Sequence, residues 1–244
     1  MEWSLIDRSL NYGRHHIKNF LLDAVPYISV LDLGAGKGDD LMIARSITPE
    51  AKLYALEFYA PNVEKLTNMG VEVFSFDIER NVFPFADGSL DIVILNNVFE
   101  HVKEVFWILH EITRVLKVGG HLIIGVPNLA ALHNRILLLF GKQPSSLKNS
   151  SAHVRGYTKK DMISMLDTGF ENGGKGYKLR NFKGSNFYPF PPSFAKPLAN
   201  LMPALSTCIF FNFEKIKPYG RGYLDYPVQQ SLETNFFLGN ANTN

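Results

Sequence analysis

A single cysteine, Cys208, stands in the 244 residues. That excludes a disulfide framework within the chain and any zinc ribbon built on paired cysteines. Long hydrophobic runs are missing too. The longest apolar stretches, ILLLF and the proline-interrupted LMPALSTCIFFNF, are too short to span a bilayer. The opening MEWSLIDRSL carries acids and no apolar run of the kind a secretory leader needs. A reducing, cytoplasmic setting is therefore the expectation. The sequence contains no internal repeat and no low-complexity tract. Ligand-like histidine spacing is also lacking. His15 and His16 are adjacent and so diverge on a helix, and the other five histidines are scattered, so no metal site is expected.

What is present suits a globular domain: 46% hydrophobic and 20% charged residues. The net charge of +2 hides an asymmetry. Residues 1–140 hold 12 Lys and Arg against 17 Asp and Glu, a charge of −5, whereas residues 141–244 hold 13 against 6, a charge of +7. A basic, aromatic second part fits a nucleic acid, an anionic surface or an anionic substrate, or simply a solvated face over core aromatics.

Residues 4–24 follow a helical apolar spacing, with Gly13 as a break. Apolar strands at 29–33, 52–57, 71–76, 91–95 and 121–126 then alternate with helical patterns, the longest over 100–117 and ended by Gly119-Gly120. Such alternation predicts an α/β fold, a doubly wound, mostly parallel sheet with right-handed crossovers. A leucine-rich helix (129–140), a polar loop, strand-like residues at 172–188, a helix near 193–202 and a last strand at 207–216 follow. Residues 217–244 read as irregular.

The chemistry is concentrated in VLDLGAGKGDD (30–40). Gly34, Gly36 and Gly38 lie at the end of the first strand, where ligands of open α/β sheets bind. Glu57 ends the second strand, placed to accept hydrogen bonds from both hydroxyls of a ribose. The spacing is G-x-G-x-G, not the G-x-G-x-x-G of dinucleotide sites, and Asp32, Asp39 and Asp40 surround the turn. A pyrophosphate would meet like charge there. That disfavours a nicotinamide oxidoreductase and favours a phosphate-free, cationic nucleoside such as S-adenosylmethionine.

These residues resemble the class I S-adenosylmethionine-dependent methyltransferases, in the branch that acts on small molecules, lipids and sugars. VLDLGAGKG resembles the family's first motif, FDIE (76–79) the segment after the third strand, FPFADGSLDIVILNNVFEHV (83–102) the fourth-strand segment, and RVLKVGGHLIIGVPN (114–128) the fifth. The resemblance covers roughly residues 5–130; Val118 departs from it, standing where a proline is usual. It implies a seven-stranded Rossmann-like methyltransferase fold. Residues 1–27 would form an N-terminal helical cover, 28–216 the methyltransferase domain with an acceptor or lid insertion at 129–157, and 217–244 an irregular tail.

The resemblance also implies roles. The backbone of Gly34, Ala35 and Gly36 packs on the methionyl part, with Gly38 closing the turn, and Asp32 faces the ammonium. Glu57, with Phe58 beside it, holds the ribose. Asp77, followed by Ile78, meets the adenine amino group. Asn96 and Asn97 line the methionine, Arg14 binds its carboxylate and Tyr12 covers the methyl end. The product is S-adenosylhomocysteine. If the acceptor is a hydroxyl, His101 or His153 is the candidate base.

The expected partner is a small-molecule acceptor, a saccharide or a lipid-linked, apolar compound, with contact to a membrane surface left open. Nucleic acid is disfavoured. NNVF stands where an Asn/Asp-Pro-Pro-aromatic motif would mark amino methylation of DNA bases, Cys208 is too far along the chain for cytosine carbon-5 chemistry, and dense basic stripes are missing. A non-catalytic S-adenosylmethionine-binding scaffold and an RNA methyltransferase remain as alternatives.

Overall fold

The computed structural model describes residues 8–170, 174–232 and 235–239. Seven strands form one sheet: β1 (Ser29–Leu33), β2 (Lys52–Leu56), β3 (Glu72–Phe74), β4 (Leu90–Asn96), β5 (Leu116–Pro127), β6 (Tyr177–Ser185) and β7 (Cys208–Lys215). Their spatial order is β3-β2-β1-β4-β5-β7-β6. The first five pair in parallel, and β7 inserts antiparallel between β5 and β6. The order reverses between β1 and β4, and ligands of open α/β sheets bind at such a switch point.

Side-chain alternation divides the core in two. Leu31, Leu33, Val93, Leu95, Leu122 and Ile124 face one layer. It is covered by α4 (Val105–Val115), α6 (Lys159–Asp167) and α8 (Gly222–Gln229). Val30, Ile92, Ile94 and Ile123 face the other, covered by α1 (Arg14–Asp23), α2 (Asp39–Ile47) and α3 (Ala60–Asn68). Every residue of β1 is buried, as a central strand covered on both faces requires.

Three expectations are refined. The helix predicted over 100–117 is shorter, because its end is pulled into the sheet. Gly88 and Ser89 donate backbone hydrogen bonds to the carbonyls of Arg114 and Val115, and Leu116 pairs with Leu90. The predicted helix over 4–24 is a 3-10 turn (Arg8–Tyr12) followed by α1, with Gly13 between them at φ +52°; residues 1–7 lie outside the described residues. The tail 217–244, expected to be irregular, contains α8. Its apolar pattern is only about two turns long and so is hard to see in sequence, but Tyr223 and Leu224 are buried and the helix packs on α4.

Between β5 and α6 the chain leaves the sheet, forms α5 (Leu132–Leu139) and a 3-10 turn (Ser145–Leu147), and returns. A bridge between Asn128 and Tyr157 closes the base of this excursion. α7 (Pro192–Leu201) packs beside it, with Leu132 of α5 against Phe187, Ala195 and Ala199.

Candidate cofactor and acceptor site

β1 delivers its last residues to the switch point, and the turn that follows needs glycine. Gly34, Gly36 and Gly38 have φ of +66°, +55° and +84°, values that L side chains rarely adopt. A Cβ on Gly34 would strike Val98 at 2.8 Å, and one on Gly38 would strike Leu66 at 2.7 Å. Gly36 is different: its nearest atom would be a carbonyl oxygen at 4.0 Å, so that side of the turn is open to a ligand. Ala35 is buried beneath it.

Glu57 is tied to this turn. Its Oε2 accepts the Gly36 amide at 2.7 Å, and its Oε1 accepts those of Phe58 and Tyr59 at 2.9 and 2.8 Å. Oε2 keeps capacity for a further donor. Phe58 is strongly exposed, so its ring is available beside the acid. Asp77 makes a local turn, accepting the Glu79 amide at 2.9 Å, and Ile78 packs into the core edge.

The acids crowd. Asp32 is 2% exposed, and burial together with the charges of Asp40 and Glu57 holds its carboxyl well above the usual range. Burial also raises Asp40, opposed by the Asn96 hydrogen bond and Arg14. Asn96 Nδ2 donates to Asp40 Oδ2 at 2.8 Å and to the Tyr12 carbonyl at 3.0 Å. Asn97, at φ +57°, donates to Asn96 Oδ1. Arg14 lies 4.7 Å over the Tyr12 ring and pairs with Asp39 at 2.6 Å. Its Nε lies 3.8 Å from Asp40 Oδ1, and both atoms are buried without a hydrogen-bond partner among the described residues.

That pair tests the fit of the cofactor. An α-amino acid end carries an ammonium and a carboxylate. A spare acceptor and a spare donor, side by side at the mouth of a glycine turn, match those two groups. The repulsion among Asp32, Asp40 and Glu57 is relieved by a cation and aggravated by a phosphate. The residues present therefore fit a sulfonium nucleoside with an amino acid tail. In the sequence Asp40 counts only as one of the acids around the turn; its place in the first turn of α2, two residues after the third glycine, is the signal for a direct role.

The candidate bases are also brought together. His101 ends a 3-10 turn (Phe99–His101) just beyond β4, and the His153 ring lies 4.7 Å from it, edge to face. Burial and then His153 lower the His101 pKa. Glu100, between the glycine-turn neighbour Val98 and the two rings, is 2% exposed, and burial pushes its carboxyl up to about 7. In sequence the histidines show no ligand-like spacing, but in space two of them meet an acid. Glu100, His101 and His153 each offer a ligand atom, all within 4.8 Å of one another. Separation along the chain concealed this. A cavity of about 1130 Å³ between α6 and α8, lined by Asp167, Phe170, Tyr219, Arg221 and Gln229, shares no residue with this site.

Residues 31–124 match the family model described as a methyltransferase domain. The match lies on a fold shared with solved S-adenosylmethionine-dependent methyltransferases. S-adenosylmethionine is the cofactor that this domain implies, with S-adenosylhomocysteine as product. The bifunctional methionine biosynthesis protein MetXA/MetW of Rhodopirellula baltica is 34% identical over 45% of this chain and 18% of its own length. The demethylmenaquinone methyltransferase of Thermus thermophilus is 28% identical over 50% of this chain and 59% of its own. The chain thus spans less than two thirds of these relatives. An S-adenosylmethionine-dependent methyltransferase structure from Thermotoga maritima shares the fold, with a TM-score of 0.55 at 15% identity, over 85% of this chain and 91% of that one.

Proposed function

We propose that this methyltransferase domain transfers a methyl group from S-adenosylmethionine to a small-molecule acceptor with an apolar body. The observation that carries the reading is the unpartnered Arg14 Nε and Asp40 Oδ1 beside the glycine turn. When bound, S-adenosylmethionine supplies an electrophilic methyl on sulfur. The chain's own residues bind and orient. Glu57 accepts the ribose hydroxyls, flanked by Phe58, and Asp77 and Ile78 meet the adenine. Asp40, with Asp32 behind it, faces the ammonium. Arg14 faces the carboxylate, Tyr12 covers the methyl end, and Asn96 and Asn97 line the methionyl chain. Alignment of nucleophile, methyl and sulfur supplies much of the acceleration. His101 or His153 takes the proton of a hydroxyl acceptor.

Calorimetric titration of the purified chain with S-adenosylhomocysteine and, separately, with NADH tests the cofactor assignment. Saturable binding of the first alone is expected. Binding of NADH, or of neither, counts against it.

An apolar acceptor is favoured by the surface of α5 and α7. Ile136, Leu138, Leu139 and Phe140 are exposed on one, Phe194 and Leu201 on the other, with Arg135, Lys142 and Lys196 nearby in sequence. The Thermus thermophilus relative is named for demethylmenaquinone. No described helix is long and apolar enough to cross a membrane. The same exposed side chains suit contact with a lipid interface that holds the acceptor. Co-sedimentation with phosphatidylglycerol vesicles is the check: Leu139→Ser with Phe140→Ser should release the protein, and equal sedimentation of variant and parent argues for a soluble acceptor.

A further inference from the structure

We propose that Glu100, His101 and His153 hold one divalent first-row transition cation, in a two-nitrogen, one-oxygen set that leaves coordination positions free for water and an acceptor oxygen.

The imidazoles are set up for it. His153 Nδ1 lies 2.8 Å from the Ser146 carbonyl, and His101 Nδ1 lies 3.4 Å from that of Ala152. A carbonyl only accepts, so the neutral rings carry their protons on Nδ1 and keep their lone pairs on Nε2. A ring nitrogen bound to a backbone carbonyl, with the opposite nitrogen free, is the usual support of a metal-binding histidine.

The carboxylate supplies a second, independent observation. Glu100 is 2% exposed, and its Oε2 has no hydrogen-bond partner among the described residues. Its other oxygen lies 4.0 Å from His101 Nε2. A buried carboxylate with an empty acceptor is costly unless something positive or hydrogen-bonding meets it. The scaffold is tied as well. The Glu100 carbonyl accepts the Val154 amide at 2.8 Å and that of Arg155 at 3.3 Å, fastening the His153 loop to the 3-10 turn that carries the other two groups.

The ligand atoms lie within 4.8 Å of one another. Metal bonds of about 2.0–2.2 Å demand closer approach, roughly 3 Å between ligands. His101 is exposed and His153 part-exposed, so the side chains that must close the gap to the buried carboxylate are the ones with room to move. Two imidazoles and one carboxylate select zinc, iron, cobalt, nickel or manganese over magnesium and calcium, which prefer oxygen.

The catalytic meaning rests on the methyl-transfer reading. A cation here would lower the pKa of a coordinated acceptor hydroxyl, as it does that of bound water. The lone pairs that would take a proton then hold the cation, and the proton of the acidified hydroxyl passes to solvent water. The binding itself does not depend on that reading.

The test uses the full, untagged chain, stripped with chelator and titrated with Co²⁺ while its visible absorption is followed, and with Zn²⁺ by calorimetry. One equivalent should bind. Glu100→Gln and His153→Ala should each weaken binding by at least about tenfold. His15→Gln, an exposed histidine of α1 outside the cluster, should leave it unchanged. S-adenosylhomocysteine affinity, measured on the same variants, should be retained, which reports folding and keeps failure of the cofactor reading separate. His153→Ala lies on a part-exposed loop and serves if Glu100→Gln folds poorly. Absence of stoichiometric binding, or binding that both variants leave unaltered, overturns the proposal.

Discussion

Glu57 does two jobs with one carboxylate. It anchors three backbone amides around the glycine turn, and its Oε2 keeps room for a ribose hydroxyl. Glu57→Ala should therefore weaken S-adenosylhomocysteine binding by about 1–3 kcal/mol through lost charge-assisted hydrogen bonds. Calorimetry on the variant checks this, and unchanged affinity in a folded protein removes Glu57 from the site. The three glycines and Glu57 were legible in the sequence because strand ends and spacing alone locate them. Arg14, expected to bind the cofactor carboxylate, pairs with Asp39 and lies beside Asp40, contacts that its own sequence surroundings do not reveal. The sequence shows Asp40 only as one of the acids around the turn; its contacts with Asn96 and Arg14 join side chains distant in sequence, which no local pattern encodes.

At the scale of elements, strand positions were readable from apolar runs, and errors gathered where one element ends another. The end of α4 shows why. Lys215, at the end of β7, is buried, and its Nζ donates to the carbonyls of Thr113 and Leu116 at 2.6 and 2.7 Å. It satisfies carbonyls that a helix C-terminus leaves free, from about 100 residues away in sequence. Burial pulls its pKa down to about 8 from 10.5. Because the folded value is the lower one, the unfolded chain binds more protons between these values, and stability rises with pH across that window. The neutral amine still has two hydrogens for its two carbonyls. Lys215→Met should cost about 1–3 kcal/mol in chemical denaturation at neutral pH and abolish that alkaline rise. A variant as stable as the parent would show that water caps the helix equally well.

For the whole molecule, α1 is the strap that joins the sheet's far edge to the cofactor turn. His16 is 4% exposed, its Nε2 donates to the Gly184 carbonyl of β6 at 2.8 Å, and its ring packs near Phe20 and Phe210. Burial lowers its pKa from 6.5 to about 4, helped by neighbouring His15 and Lys183 and opposed by the bond to Gly184. The folded state therefore prefers the neutral ring. Its contribution is intact above pH 6.5 and is lost as the pH falls through that value toward about 4. Melting temperature followed from pH 7.5 to 4 should drop more steeply in the parent than in His16→Asn, which cannot titrate. Parallel curves would place the acid sensitivity in other groups, and not in Asp32 or Asp40, whose raised carboxyls favour the folded state as the pH falls. That α1 reaches across the sheet was not readable from its own sequence, since His16 looks like any surface histidine until β6 returns beside it.

The docking of the N-terminal segment on Asp39, Asp40 and Asn96 has a consequence for exchange. The segment is an intramolecular ligand of the cleft, held through the Tyr12 carbonyl and the Arg14 guanidinium. Any molecule whose own ammonium settles on Asp40 bargains with that tether, and whichever way the Arg14 side chain turns, occupancy and closure become one equilibrium. Entry and exit of the nucleoside would then be timed by the first helix.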